Sequence, residues 1–348
     1  MRDIRIGAAQ FEPADGIKEY NLAQIKRLAK DAAARGAEVV SFHEMCVTGY
    51  SFLQDATKEK LLSLAEFVPA GPSCVALHEI AFEVGVPILA GLLEVEKATG
   101  KLYNTCVLHS VARAKERGSL GRVILLGTLE YLIERGIGWS RYVCAHPTDG
   151  IIARHRKLHA FLNPHISSGS EFTVFELLGC TCGILICYDN NIVENVRCTA
   201  LAGCEILFAP HVTGCASGPK TESGIGDPRR STADVQLWEN RREDPVPLKM
   251  QLHGPSGRGW VMRWLPARAY DNNLFVVFTN PIGLVRYPWH FRYVASVSCL
   301  HPLRNGSLTG YCVDTCGQRT TACCGMAIAS WSTPSEKWLL SVSSFATQ

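Results

Sequence analysis

The 348-residue sequence has the composition of an ordinary globular protein, since 47% of its residues are hydrophobic and 19% are charged. Its net charge of +3 is small for this length and its basic residues are scattered, which argues against nucleic acid or a membrane surface as a partner. No apolar run reaches the roughly 18–20 residues of a transmembrane helix, and the chain begins with strand-like alternation rather than a signal peptide, so we expect a cytoplasmic protein.

The chain contains 15 cysteines. Several lie in mostly apolar surroundings, which indicates reduced buried thiols rather than a disulfide framework: Cys180, Cys182, Cys187, Cys198, Cys204 and Cys215. The spacing within Cys180-Thr181-Cys182 and Cys323-Cys324 is not that of a zinc site, so we expect no metal.

The first third of the chain predicts strands and helices in alternation. Apolar residues recur first at strand spacing and then at helical spacing. This predicts a β-α-β unit of strand 4–10, helix 21–35 and strand 38–43. Helices at about 56–66 and 73–83 follow, and strands 86–94 and 102–108 form a hairpin. Nearly continuous apolar strands predict a sheet that is covered on both faces.

The second half contains a cysteine at the apex of a predicted strand–turn–helix unit. Residues 183–186 form a short apolar strand, Cys187 ends it, and a polar turn leads into helix 192–203; strands 205–210 and 274–280 follow. A thiol at the carboxyl end of a strand and near a helix N-terminus is expected to favour the thiolate. A single cysteine is nevertheless more often part of the core, so Cys187 needs support from other residues.

Two charged residues provide that support, because each closes its own strand-like run. Glu44 follows the strand that ends at His43, and Lys157 follows residues 150–156. A nucleophile needs a base and a group that stabilises the oxyanion, and these residue types supply both. Each could instead be a solvated charge at a strand end.

Together with their neighbours, these residues resemble the nitrilase superfamily of carbon–nitrogen hydrolases, which have a Glu-Lys-Cys triad. The similarity is carried by His43-Glu44-Met45, Thr48-Gly49-Tyr50, Arg156-Lys157-Leu158-His159, Leu185-Ile186-Cys187-Tyr188-Asp189, residues 200–207 and Arg268-Ala269-Tyr270-Asp271-Asn272. The resemblance implies an α/β fold, a four-layer α-β-β-α sandwich of the nitrilase type, as a single domain over residues 1–348.

The resemblance also implies a reaction that needs no cofactor. Glu44 is expected to act as base and Cys187 as nucleophile, while Lys157 and the backbone N–H of Tyr188 hold the oxyanion. Cys187-Tyr188-Asp189 is similar to amidase-type branches, so a small amide is the leading substrate class; a nitrile or an N-carbamoyl compound is the alternative. A catalytically impaired relative that acts only in binding or assembly is a further alternative, and family members commonly form homodimers or higher homo-oligomers.

The sequence departs from the family pattern at a second glutamate that often follows the lysine. His165 stands at about that place; it is expected either to help position or select the substrate or, as is more common for a loop histidine, to be merely solvated. The more distant Glu171 is a weak substitute. His211 belongs to a segment that borders the substrate pocket in the family.

Two segments, 109–141 and 285–310, look foreign to the family pattern. The first is expected to be a surface loop with one helix at about 127–135, and the alternative is a lid. The second is irregular in sequence, and residues 330–348 drift into Ser, Trp and Thr. Both segments are possible insertions, either real loops or intervening sequence translated by a faulty gene model.

Overall fold

The computed structural model describes residues 4–110, 150–160, 163–213 and 258–281, together with the backbone of six short strands between 284 and 342. The helices are α1 (Lys18–Ala34), α2 (Lys58–Leu64), α3 (Pro72–Val84), α4 (Val193–Leu201), α5 (Arg258–Val261) and α6 (Leu265–Asn272), with 3₁₀ turns at Ser51–Asp55 and Cys187–Asn191. The first ten strands are β1 (Ile4–Ala8), β2 (Val39–Ser41), β3 (Ile88–Val95), β4 (Leu102–His109), β5 (Ile151–Arg156), β6 (Ile166–Ser167), β7 (Thr173–Leu177), β8 (Cys180–Ile184), β9 (Ile206–Pro210) and β10 (Phe275–Thr279). The last six are β11 (Leu284–Tyr287), β12 (His290–Tyr293), β13 (Ser298–Leu300), β14 (Tyr311–Val313), β15 (Arg319–Thr321) and β16 (Trp338–Val342).

The larger sheet has the strand order β15-β14-β16-β1-β2-β3-β4-β5, with β6 beside β4. Strands β1, β2 and β3 run parallel, whereas β3, β4 and β5 form an antiparallel meander. In the middle of this sheet β2 is buried at every residue, as expected for a strand covered on both faces.

The smaller sheet has the order β13-β10-β9-β8-β7. Its centre is parallel, because β8 pairs with β9 and β9 pairs with β10 in the same direction. The carboxyl ends of these parallel strands therefore lie at one edge of the sheet, where loops commonly carry functional groups.

The two sheets pack face to face with helices on their outer sides. The core between the sheets contains Ile6, Leu89 and Ala153 from the larger sheet and Phe175 and Phe208 from the smaller one. Separate cores lie between the larger sheet and helices α1 and α3, and between the smaller sheet and helices α4 and α6. Burying each of these large side chains contributes about 1.5–3 kcal/mol, so the layered packing supplies most of the driving force for folding. The predicted four-layer α-β-β-α arrangement is confirmed.

Within the described residues, the predicted strands and helices before residue 281 are also found, with bounds that differ by a few residues, whereas the helix predicted at about 127–135 lies outside them. The C-terminal part differs from the expectation. Residues 284–287 and 290–293 form an antiparallel hairpin within the segment expected to be irregular, and β13 pairs with β10. Strand β16 lies in the stretch expected to drift and pairs antiparallel with β1, whose edge offers unpaired backbone groups. Apart from its first two residues, the predicted insertion 109–141 lies outside the described residues.

The described cysteines are free thiols, among them Cys180, Cys182, Cys187, Cys198 and Cys204, whereas Cys215 lies outside the described residues. In the described part of the chain, no helix combines the length and the hydrophobicity needed to cross a bilayer.

Candidate active site

Cys187 lies on a tight turn that begins shortly after β8 of the smaller sheet. Its φ angle is +50°, in the left-handed region that non-glycine residues rarely occupy, at a cost of about 1–2 kcal/mol. The turn is held by the backbone N–H of Asp189, which donates to the carbonyl of Ile186 at 3.0 Å, and by the side-chain amide of Asn190, which donates to the carbonyl of Leu185 at 2.7 Å. The strained turn is therefore fixed by one backbone and one side-chain hydrogen bond from its own residues.

Glu44 follows β2 in the larger sheet and is 1% exposed. Its Oε1 accepts hydrogen bonds from Lys157 Nζ at 2.6 Å and from Asn104 Nδ2 at 2.7 Å. Its Oε2 accepts one from the backbone N–H of Val212 at 3.0 Å. A buried carboxylate with three donors is held in one orientation, which a general base requires.

Lys157 lies at the end of β5 and is 2% exposed. Its backbone N–H donates to the carbonyl of Asn104 at 2.8 Å, so Asn104 fixes the backbone of Lys157 and the carboxylate of Glu44 together. Burial alone would lower the pKa of Lys157, but the nearby acidic groups, Glu44 above all, outweigh it and the pKa is raised. Lys157 therefore stays a cation at neutral pH, next to the thiol.

The structure thus brings together the three residues predicted as a triad. Among the charged groups, Glu44 and Lys157 have the largest effects on Cys187, with opposite signs. Burial is the largest influence and the charge of Glu44 the second, and together they raise the pKa of Cys187 to about 12, although Lys157 lowers it.

The expected thiolate at Cys187 is therefore wrong for this arrangement of the site. The residue is only 7% exposed, and burial disfavours the charged form more than the nearby lysine favours it. At neutral pH the side chain is a thiol, so a base must remove its proton during attack on a substrate.

Asp189 is a residue whose role the sequence analysis missed. It is fully buried, and its Oδ2 accepts from the backbone N–H groups of Ile186 at 3.2 Å and Leu158 at 3.1 Å, while its Oδ1 accepts from that of His159 at 2.9 Å. One carboxylate thus joins the segment after Lys157 to the strand that leads to Cys187. A possible signal was its place in the quoted Cys-Tyr-Asp motif, but that motif does not reveal which backbone groups it meets.

His155 extends this connection through the core. It is fully buried on β5, with Nε2 3.5 Å from Asp189 Oδ2 and Nδ1 3.0 Å from Oγ1 of Thr173, on the edge strand β7 of the smaller sheet. The ring therefore lies between the two sheets directly behind the site.

His211, predicted to border the pocket, lies behind the nucleophile. It is fully buried, its ring centroid is 4.6 Å from that of Phe278, and its Nε2 is 3.2 Å from Asn190 Nδ2. Its other nitrogen, Nδ1, is 3.2 Å from Thr213 Oγ1, which is 3.9 Å from Cys187 Sγ. Thr213 is a second residue that the sequence analysis did not assign.

The other predicted site residues lie farther out. Tyr188 is 43% exposed, and its ring makes an edge contact with that of His159. His165 is exposed, and its backbone N–H donates to Asn163 Oδ1 at 2.9 Å. Among the described residues, no hydrogen bond or ion pair joins His165 to the three triad residues. Glu171, the weak substitute for a second glutamate, is also exposed.

No group of three or more His, Cys, Asp and Glu residues in the described ranges has an arrangement that could hold a metal ion. The polar groups around Cys187 bond to one another in two sets, Glu44 with Lys157, and His211 with Asn190 and Thr213.

Comparison with known proteins identifies the family. The model of the carbon–nitrogen hydrolase family matches residues 5–112 and 119–311. The chain belongs to the carbon–nitrogen hydrolase family. This carbon–nitrogen hydrolase is therefore an enzyme, and its expected place in the nitrilase superfamily, on the amidase-like side, is confirmed.

Curated relatives of this carbon–nitrogen hydrolase include amidases and a nitrilase. It is 26% identical over 230 residues to omega-amidase NIT2 of Xenopus tropicalis, a match that covers 63% of this chain and 67% of the relative. It is 25% identical over 210 residues to a nitrilase of Pyrococcus abyssi, covering 60% of this chain and 64% of the relative.

Solved structures show the same fold at low sequence identity. An amidase of the nitrilase superfamily from Nesterenkonia AN1 has a TM-score of 0.55 and 16% identity, covering 98% of this chain and 90% of the amidase. Another structure of this Nesterenkonia enzyme, a glutamate-to-glutamine mutant with a TM-score of 0.53, 16% identity and coverage of 97% and 92%, shows acrylamide added to the active-site cysteine. These neighbours confirm the predicted nitrilase-type sandwich.

Proposed function

We propose that this carbon–nitrogen hydrolase cleaves the amide bond of a small molecule through a thioester on Cys187. The observation that carries the proposal is the buried pair of Glu44 and Lys157, joined at 2.6 Å, whose charges both act on the Cys187 thiol. This is the arrangement of base, oxyanion stabiliser and nucleophile that acyl transfer needs.

In the proposed reaction, Glu44 takes the proton of the Cys187 thiol as the sulfur attacks the amide carbon. The new oxyanion is held by Lys157 Nζ and by the backbone N–H of Tyr188. The C–N bond then breaks, and Glu44 returns its proton to the leaving ammonia or amine. A water molecule next loses a proton to Glu44 and attacks the thioester, which releases the carboxylic acid and restores the thiol.

The raised pKa of Cys187 suits this sequence of steps. A resting thiol does not react until a substrate is present, and the same carboxylate that disfavours the thiolate is placed to accept its proton. The amidases among the relatives favour an amide, and the nitrilase relative makes a nitrile the second substrate class to test.

Intact-protein mass spectrometry on a panel of small amides, nitriles and N-carbamoyl compounds tests the proposal. We expect an amide to be hydrolysed and its acyl group to be trapped on Cys187 in the Glu44→Gln variant, because deacylation also needs the base. We also expect acrylamide to add to Cys187 in the Glu44→Gln variant, as it does in a glutamate-to-glutamine mutant of the Nesterenkonia amidase. Full turnover by Cys187→Ala would refute the nucleophile assignment.

We retain two expectations from the sequence alongside this function. A homodimer or higher homo-oligomer is checked by sedimentation of the purified chain, and a cytoplasmic location by cell fractionation.

A further inference from the structure

Thr213 is the hydroxyl residue next to the sulfur of Cys187, with its Oγ1 3.9 Å from Sγ. Its backbone is held on both sides by Asn280, whose Oδ1 accepts from the N–H of Thr213 at 2.9 Å and whose Nδ2 donates to its carbonyl at 3.0 Å. The carbonyl of Asn280 accepts in turn from Gln10 Nε2 at 2.6 Å. The position of the hydroxyl is therefore set by residues at the ends of strands in both sheets.

The direction of the Thr213 hydroxyl follows from its neighbours, beginning with Asn190. The Nδ2 atom of Asn190 is 2.7 Å from the carbonyl of Leu185 and 3.2 Å from that of Cys187. Two carbonyl oxygens require the NH₂ group at this place, because a flipped amide would put an oxygen against both. The NH₂ group therefore also faces Nε2 of His211, at 3.2 Å.

This contact assigns the tautomer of His211. Nε2 meets a donor and must accept, so the ring proton of neutral His211 is on Nδ1. The ring is neutral because burial and, secondarily, the charge of Lys157 hold the pKa of His211 well below its ordinary value. Nδ1–H then donates to Thr213 Oγ1 at 3.2 Å.

Since Thr213 Oγ1 accepts a hydrogen bond from His211, its own proton is left to point elsewhere, and the Cys187 sulfur is within reach. We propose that Thr213 is a further catalytic residue, whose hydroxyl donates a hydrogen bond to the Cys187 sulfur as the thiol loses its proton. His211 and Asn190 are the positioning residues that orient this hydroxyl. The proposal rests on Cys187 being the nucleophile.

The proposed donor adds to the charges that already act on the sulfur. Those charges are the carboxylate of Glu44, which disfavours the thiolate, and the ammonium of Lys157, which favours it. The buried carboxylate of Asp189 lies on the same turn, and His211 is neutral behind Thr213. A hydrogen bond from Thr213 to the ionised sulfur, at this long distance, lowers the pKa of the Cys187 thiol by about one unit.

That shift has a measurable effect on alkylation at a fixed pH well below the pKa of the thiol. Without this hydrogen bond the pKa of Cys187 is about one unit higher, so the thiolate fraction is about tenfold smaller. The greater nucleophilicity of the more basic thiolate recovers part of the rate. The labelling of Cys187 should therefore slow about threefold to fivefold.

The experiment is the rate of iodoacetamide labelling at Cys187, followed by peptide mass spectrometry between pH 7 and 9. Thr213→Val removes the hydroxyl but keeps the shape, and Thr213→Ala is a second hydroxyl-free variant in case valine impairs folding. Thr213→Ser keeps the donor. Thr199→Val is the matched control, because Thr199 is buried and its hydroxyl donates to a helix carbonyl away from the site, that of Asn195 at 2.8 Å.

We expect the Val and Ala variants to label about threefold to fivefold more slowly than wild type at every pH, and Ser and the Thr199 control to label at the wild-type rate. On a substrate, Thr213→Val should lower kcat and leave KM nearly unchanged. Unchanged labelling in both hydroxyl-free variants, or equal slowing in the Ser variant, would overturn the role of Thr213.

Labelling does not require turnover, so its result separates this inference from the proposed function. If Cys187→Ala still hydrolyses amides, the nucleophile assignment fails and the Thr213 proposal fails with it. If that variant is inactive but the threonine series labels uniformly, only the Thr213 proposal is refuted.

Discussion

The carboxylate of Asp189 offers a direct test of how the site is held together. In Asp189→Asn the side chain keeps its shape, but one of its two oxygens becomes an NH₂ group. All three backbone N–H groups that meet this side chain, on Ile186, Leu158 and His159, need an acceptor. At least one of them would face a donor after the substitution.

The expected cost follows from counting these bonds. The orientation that places NH₂ at the Oδ1 position loses one bond, and the other two change from charge-assisted to neutral. A hydrogen bond to a charged group contributes about 1.5–3 kcal/mol, and a neutral one about 1 kcal/mol less. The free energy of unfolding should therefore fall by about 3–5 kcal/mol, without a reduction for solvent screening because the residue is fully buried.

Activity should fall as well, since the two joined segments carry Lys157 and Cys187. We expect kcat to drop at least about tenfold while KM changes little, measured well below the unfolding temperature so that the loss does not reflect unfolding. Urea denaturation gives the stability. Glu38→Gln is the control, because Glu38 accepts a backbone N–H from Arg5 at 3.0 Å in an exposed setting and should change stability by less than about 1 kcal/mol. An Asp189→Asn protein with wild-type kcat and a loss below about 1 kcal/mol would refute this reasoning.

Further predictions concern the charged pair, a close backbone contact and the buried His43. Glu44→Gln and Lys157→Met should each lower kcat by about 10²-fold or more, and the double variant should be little worse, because the two act as a unit; additive losses in steady-state assays would contradict this. Gly91→Ala would place a methyl group 2.4 Å from the backbone nitrogen of Met45, next to Glu44, so kcat and the thermal midpoint should both fall; a variant with normal activity and midpoint would disprove the contact. Burial lowers the pKa of His43 to about 4, so between about pH 6.5 and 4 the unfolded chain binds a proton that the folded chain does not. Stability from this residue is thus present above pH 6.5 and lost on acidification, by up to about 3 kcal/mol; urea midpoints that stay constant between pH 7 and 4.5 would contradict it.

The sequence was sufficient to predict the main strand ends and the residues that follow them. Glu44, Lys157 and Cys187 each close an apolar run, and a short run that ends in a polar or reactive residue can be recognised locally. The layer order was predicted in the same way, since continuous apolar strands require cover on both faces.

The protonation state of Cys187 could not be predicted from its local sequence. The helix that follows it and the predicted lysine both suggested a thiolate, but burial depends on packing from distant parts of the chain. The residues that hold the site, such as Asp189, Asn104 and Thr213, were missed for a similar reason. Their partners are backbone groups or side chains far away in sequence, and no spacing rule identifies them.

The strands at the C-terminus show a different limit. Residues 338–342 have no strong strand pattern, yet their backbone pairs with β1 along all five positions. Such a strand depends on the open edge that it completes, so its prediction requires the position of β1 in the sheet.

The reacting groups are divided between the two sheets, so the site forms only when the sheets have docked. Glu44 and Lys157 follow strands of the larger sheet, whereas Cys187 follows a strand of the smaller one. Neither sheet alone carries a complete set of reacting groups, and contacts such as that of Ser41 Oγ with Thr279 Oγ1, 3.2 Å apart, form only when the sheets meet. During refolding, recovery of hydrolysis should therefore follow the docking of the sheets rather than the appearance of secondary structure, and catalysis becomes a reporter of the last packing step.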